Sequence, residues 1–174
     1  MFNLMSLNEE ISRCTACKLS EGRTNAVPGE GPEDPDIMFI GEAPGFYEDR
    51  EGRPFVGQSG KFLNELIKEA GLTREQVFIS NIVKCRPPNN RDPLPNEIDT
   101  CEELWLSQQI QALKPKVIVT LGRHSLSRFL PTETISRVHG QPHRKGEMLV
   151  FPMYHPAAAL HQPRLRETLI NDMQ

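Results

Sequence analysis

With 174 residues, 37% of them hydrophobic and 25% charged, the chain has the size and composition of one soluble globular domain spanning 1–174, and too ordinary a mix for disorder. A net charge of −3 excludes a protein coated in basic surface, although residues 104–174 carry nine Lys and Arg against four acids and residues 1–103 eleven against nineteen. The sequence opens without a basic-then-apolar leader and has no apolar run long enough to span a bilayer, so a cytoplasmic protein without membrane contact is expected, where four cysteines are poor disulfide candidates.

In chain order, a C-x-x-C pair in "CTAC" (Cys14, Cys17) comes first. A short apolar run, "IMFI" (37–40), then leads straight into "GEAPG", a carboxylate held between glycines and a proline. In "KFLNELIKEAG", Phe62, Leu63, Leu66, Ile67 and Ala70 fall on one helical face, closed by Gly71. A second strand-like run, "VFISNIV" (77–83), opens into the Pro-rich loop "CRPPNNRDPLPNE" (85–97). Helical spacing of Leu104, Trp105, Gln108, Ile110 and Leu113 stops ahead of Pro115, and "VIVTLG" (117–122) comes next, with a third helix after Gly122. The segment 136–146 reads as another long loop, and "MLVFPM" (148–153) delivers "YHPAAAL". Continuous rather than alternating apolar runs, separated by helices, favour a mostly parallel sheet covered on both faces. Loops leaving the carboxyl ends of such strands form the ligand crevice, which places Glu42, Asn81 and His155 on one rim.

"GEAPG" lacks both the G-K-[ST] of a phosphate loop and the G-x-G-x-x-G of a dinucleotide fold, and its carboxylate would repel phosphate. Glycines beside an acid suit a neutral ligand, although a lone Glu is as readily a turn or capping acid. Cys14, Cys17, Cys85 and Cys101 can act together only if the N-terminal segment folds back over the loop after the second strand. Four thiolates so spaced suit zinc or an iron–sulfur cluster equally, and spacing does not choose between them. His155 precedes Pro156, which favours an extended backbone that turns the imidazole outward. Phe55 alone reads as core.

Taken together, "GEAPG", "GRPFVG", "SNIVKCRPP", "HPAAAL" and the four cysteines resemble the family 4, iron–sulfur uracil-DNA glycosylases, with every motif in order from about Cys14 to about Leu160. The resemblance implies an α/β fold, a three-layer α/β/α sandwich around a central four-stranded, mostly parallel sheet. It assigns a [4Fe–4S] cluster to Cys14, Cys17, Cys85 and Cys101. It also implies a monomer that removes uracil from single- or double-stranded DNA by monofunctional hydrolysis of the N-glycosidic bond, without a Schiff base. In that scheme Phe55 stacks on the flipped base, and Asn81 reads N3–H and O4, a pattern cytosine reverses. Glu48 crowds the C5 edge, and the backbone around Gly41, Glu42 and Ala43 faces O2. His155 donates to O2 as negative charge grows there. Better-known uracil glycosylases carry Asp where Ala43 stands, which leaves Glu42, with Asn90, to position the attacking water. Arg86, Asn89 and Arg91, with the basic "HRKG" and "HQPRLR" stretches, are expected to contact DNA, and Leu160 to fill the gap left by the base. Two other classes remain: a cluster- or zinc-stabilised nucleic-acid-binding module without catalysis, and a small-molecule nucleosidase.

Overall fold

Helices and strands alternate along the chain in the computed structural model, which describes residues 3–174. Their order is α1 Leu4–Ser12, α2 Leu19–Gly22, β1 Ile37–Gly41, α3 Phe46–Glu51, α4 Gln58–Glu69, β2 Phe78–Asn81, α5 Pro95–Cys101, α6 Ser107–Leu113, β3 Val117–Leu121, α7 Arg123–Phe129, α8 Ile135–Val138, β4 His143–Lys145, β5 Met148–Met153, α9 Ala158–His161 and α10 Arg164–Met173. Between α5 and α6 the helix widens into a π turn, Glu102–Leu106, directly after Cys101.

The strands lie in the order β2-β1-β3-β5-β4. The four apolar runs form the parallel part, and β4 adds a short antiparallel edge on β5. That edge strand falls in the segment expected to be a long loop. Its residues, His143, Arg144 and Lys145, have no apolar alternation to betray them, and their charges suit a strand that must not recruit another. The run 77–83 is a strand only as far as Asn81. Beyond it, Ile82 and Val83 donate backbone hydrogen bonds to the carbonyls of Gly41 and Glu42, at 3.0 and 3.1 Å, and so tie the second strand's exit to the "GEAPG" loop.

Side chains alternate across the sheet and build two cores. On one face Met38, Ile40, Phe78, Ile118 and Val150 pack with Leu4, Leu7 and Ile11 of α1, Ile98 of α5, Leu113 of α6 and Phe129 of α7. On the other, Phe39, Ile79, Val119, Leu121 and Met153 pack with Phe62, Leu63, Leu66 and Ile67 of α4 and Leu169 of α10. These are the three layers expected of the sequence. Phe62, Leu63, Leu66 and Ile67 form the apolar stripe read from the helical period of α4, whereas Ala70, expected on the same face, is the exposed residue that caps the helix before Gly71 at φ +81. There Gly71 and Leu72 donate to the carbonyls of Lys68 and Ile67, satisfying groups that the helix end leaves open. Likewise α6 ends at Lys114 in the left-handed region, one residue before Pro115.

One contact in the second core sets the position of Phe55. Gly60, in the first turn of α4, lies so close to Phe55 that a Cβ there would sit 2.0 Å from the Phe55 carbonyl oxygen. Phe55 itself is held at φ +50, and Arg74 donates to the carbonyls of both Pro54 and Phe55. Gly60→Ala is therefore expected to cost about 1–3 kcal/mol and to lower the melting temperature by about 2–4 °C per kcal/mol. Gly22→Ala, where nothing lies within 4 Å, should leave it unchanged. Equal melting temperatures for the two variants would contradict this packing.

Candidate active site

All four parallel strands end on one side of the sheet, and each hands a polar group to the same region. The direction of strand addition reverses between β1 and β3, the switch point at which an open α/β sheet leaves a crevice. A cavity of about 250 Å³ lies at this edge, lined by Glu42, Ala43, Gly45, Glu48, Phe55, Asn81, Asn90, Arg91 and His155 among others. The sequence motifs therefore converge on one cavity, and the acid, the carboxamide and the imidazole share it.

Asn81 is the last residue of β2 and is 2% exposed, yet its Oδ1 has no hydrogen-bond partner. A buried amide oxygen without a partner costs about 1–3 kcal/mol, a penalty that a ligand donor would relieve. Gly41, at the end of β1, makes room for it. A Cβ at Gly41 would lie 2.5 Å from the Asn81 Oδ1 and 2.7 Å from Cζ of Phe55. The Phe55 ring stacks on the His155 imidazole, with centroids 5.6 Å apart and planes 27° apart.

His155 comes two residues after the end of β5, and its Nδ1 accepts the backbone N–H of Ala157 at 3.0 Å. This bond leaves the proton of the neutral ring on Nε2. Burial holds the imidazole down to about pKa 4, with the Glu48 carboxylate pulling weakly the other way. His155 is thus a neutral Nε2–H donor across the physiological range.

Glu48 spends its carboxylate on the backbone. Oε1 accepts from the Gly45 N–H at 3.0 Å, and Oε2 from those of Val56 and Gly57, each at 2.9 Å. This one side chain caps α3 and latches "GEAPG" to "RPFVG", while still lining the cavity. Asn89 and Asn90 both adopt left-handed backbone, at φ +55 and +57, which turns the loop after β2 back toward the cavity. The Asn90 Oδ1 accepts from Nε of Arg86 at 2.6 Å. Arg91 lines the cavity but is clamped by Glu97, through bonds of 2.9 and 3.0 Å. Leu160 is 47% exposed on α9, just beyond the cavity wall at Ala157.

Two further residues reach Glu42 and carry no motif of their own in the sequence. His124, at the start of α7 beyond β3, places Nε2 3.8 Å from the Glu42 carboxylate and 3.3 Å from that of Asp92. Asp92 in turn accepts from Arg123 at 3.2 Å. Burial pushes the Glu42 carboxyl above the ordinary range. His124 pulls against that shift, and the charge of Asp92 adds to it. Burial would raise Asp92 as well, but its bond with Glu42 and the charges of His124 and Arg123 together hold it below the ordinary range. The rule that places Glu42, Asn81 and His155 at strand ends finds His124 too once it is applied to the third strand.

The lysine within "SNIVKCRPP", Lys84, is 1% exposed and takes no part in the cavity. Its Nζ donates to the Ser80 Oγ, the Asn81 carbonyl and the Gln109 Oε1 at 2.7, 2.8 and 2.6 Å. Among the described residues lining the cavity there is no amine to attack a sugar.

Lys84 lines a second cavity, shared by the four cysteines. Cys14, Cys17, Cys85 and Cys101 line one small cavity with Leu19, Val83 and Trp105, and all four are free thiols. Three N–H groups point at sulfur: Arg23 at Cys85 (3.0 Å), the Lys84 backbone at Cys101 (3.3 Å) and the Ala16 backbone at Cys14 (3.5 Å). Four sulfurs around one apolar hollow, with donors aimed at them, make a site suited to a thiolate-bound metal group.

No helix among the described residues is long and apolar enough to cross a membrane. A sequence model described as the Uracil DNA glycosylase superfamily matches residues 28–174. The chain is 51% identical to a type-4 uracil-DNA glycosylase of Sulfurisphaera tokodaii, over 100% of this chain and 83% of that protein. It is 45% identical to one of Archaeoglobus fulgidus, over 100% and 92%. Identity to one of Thermotoga maritima is 44%, over 97% and 90%. With its sheet, its strand-end cavity and these relatives in agreement, the chain belongs to the uracil DNA glycosylase superfamily.

Proposed function

We propose that the chain, acting as a single domain, excises uracil from DNA by hydrolysing the N-glycosidic bond and leaves an abasic site. The observation that carries this reading is the buried, unpartnered carboxamide of Asn81, set in a cavity with Phe55 and His155. Its amide can accept from N3–H and donate to O4 of an extruded uracil, while cytosine would set donor against donor there. The Phe55 ring replaces part of the lost base stacking. Glu48, immobilised by its backbone bonds, walls the C5 edge against a thymine methyl. In the reaction the bond between C1′ and N1 breaks, its electron pair leaves with uracil, and negative charge develops at O2. The Nε2–H of neutral His155 stabilises that charge without having to give up its proton. Water adds to C1′, and ionised Glu42, favoured by His124 against the charge of Asp92, orients it and takes its proton. The family relationship favours this enzyme over a non-catalytic binding module, which leaves the empty Asn81 amide unexplained.

We further propose that Cys14, Cys17, Cys85 and Cys101 hold a [4Fe–4S] cluster, as the family resemblance implies and the converging thiols support. Bound there, it supplies a structural crosslink between the N-terminal segment, the loop after β2 and α5. Arg86, Asn89 and Arg91, with Leu160, would meet the DNA around the cavity.

Excision of uracil from an oligonucleotide, leaving an alkali-labile site, tests the reaction. His155→Ala is expected to lower kcat by about 10²–10³-fold, and Asn81→Ala to lower kcat/KM at least about tenfold. Unchanged rates in both would remove these assignments. The acid limb of the rate reports Glu42, which must be ionised and whose pKa lies above the ordinary carboxylate value. Asp92→Asn removes a charge that raises it, so the limb should move to lower pH; a limb that stays or moves upward contradicts the arrangement. The purified protein should be brown, with iron and inorganic sulfide in equal amounts, and Cys101→Ser should lose both colour and thermal stability. A colourless protein with stoichiometric zinc would replace the cluster by a zinc site.

A further inference from the structure

Beside the cavity two aromatic rings stand in solvent. Phe46 is 51% and Tyr47 54% exposed, and among the described residues no other aromatic side chain is so open. They are the first two residues of α3, between Gly45 and Glu48, both of which line the cavity. The helix is anchored by its next two residues instead. Glu48 holds three backbone amides, and buried Asp49 accepts from the N–H groups of Thr24 and Asn25 at 2.9 and 3.2 Å. The carboxylates face inward and the rings outward, the reverse of what burial of apolar surface favours.

The rings are ordered where they stand. Phe46 and Tyr47 meet edge to face, with centroids 5.2 Å apart and planes at 89°. The Arg86 guanidinium lies over the Phe46 ring, 5.4 Å from its centroid, and its Nε donates to Asn90 on the cavity wall. Of Arg86, Arg91 and Arg123 on this rim, Arg91 is paired with Glu97 and Arg123 with Asp92, while Arg86 has no carboxylate partner among the described residues. Two exposed rings and an uncommitted cation, continuous with a base-sized cavity, match what an unpaired nucleotide offers: a π-face and a phosphate.

Resting on the reaction proposed above, we propose that Phe46, Tyr47 and Arg86 form a stacking subsite for the unpaired base next to the extruded uracil, with Arg86 at the adjoining phosphate. A base inside a duplex keeps its faces on its neighbours and cannot use this platform without melting. The subsite therefore biases the enzyme toward uracil in single strands or in opened duplex.

The test uses the full protein and oligonucleotides carrying 2′-fluoro-2′-deoxyuridine, whose fluorine disfavours the oxocarbenium and keeps the strand intact. The fluorescent base 2-aminopurine is placed 5′ or 3′ of it. Binding of the single strand should quench the 2-aminopurine in one of the two positions. Phe46→Ala/Tyr47→Ala should abolish the quenching and weaken single-strand binding by roughly 5- to 150-fold, the span of one lost base–aromatic stack, with a smaller loss on duplex. Phe46→Leu, which keeps apolar bulk without the ring, should also reduce quenching. Unaltered binding and quenching in the double variant, or equal losses on single strand and duplex, would overturn the subsite. Wild-type protein that excises ordinary deoxyuridine while the double variant binds normally overturns the subsite alone. Wild-type protein that binds and quenches but releases no uracil overturns the reaction and leaves the subsite standing.

Discussion

The site rests on the absence of a side chain at Gly41. Asn81 and Phe55 both close onto that residue, to distances at which even one methyl group would collide with each of them. Parallel pairing of β1 with β2 sets Gly41 opposite Asn81, so the sheet's own register delivers the carboxamide to the floor of the cavity. Phe55 is brought there by a second close approach, that of Gly60 to its backbone. The cavity is thus shaped by two glycines in two different layers, and its polar contents are set by that shape.

Burial then does the chemistry two services of opposite sign. It keeps His155 neutral, so that its Nε2–H is available as the donor that the proposed reaction calls for. It also raises Glu42, toward the basicity that the proposed activation of water calls for. The second effect needs restraint, since a carboxyl raised too far would stay protonated. His124 and Arg123, carried in from β3, supply that restraint by drawing Glu42 back down against the charge of Asp92. The third strand therefore has a task, although the sequence around "GRHSL" does not announce one.

Much of this was legible in the chain. Four apolar runs became four strands because parallel strands buried on both faces carry no alternation to obscure them, and the stripe in α4 survived because it is long and periodic. Glu42, Asn81 and His155 could be placed on one edge from their positions at strand ends alone. The short strand β4 could not, being three polar residues whose structure comes only from pairing with β5. Asp92 was hidden for a different reason, since its contact with His124 crosses from a Pro-rich loop to a helix and leaves no local pattern. Glu48 shows a third kind of gap. The family resemblance points to it, but its three backbone bonds depend on how two loops meet.

The most direct measurement of the central claim is a crystal structure of the protein with free uracil bound. The ring should lie against Phe55, with N3–H and O4 on the Asn81 amide and O2 within hydrogen-bond reach of the His155 Nε2. Uracil bound elsewhere, or seated in the cavity with the Asn81 amide still without a partner, would contradict the account.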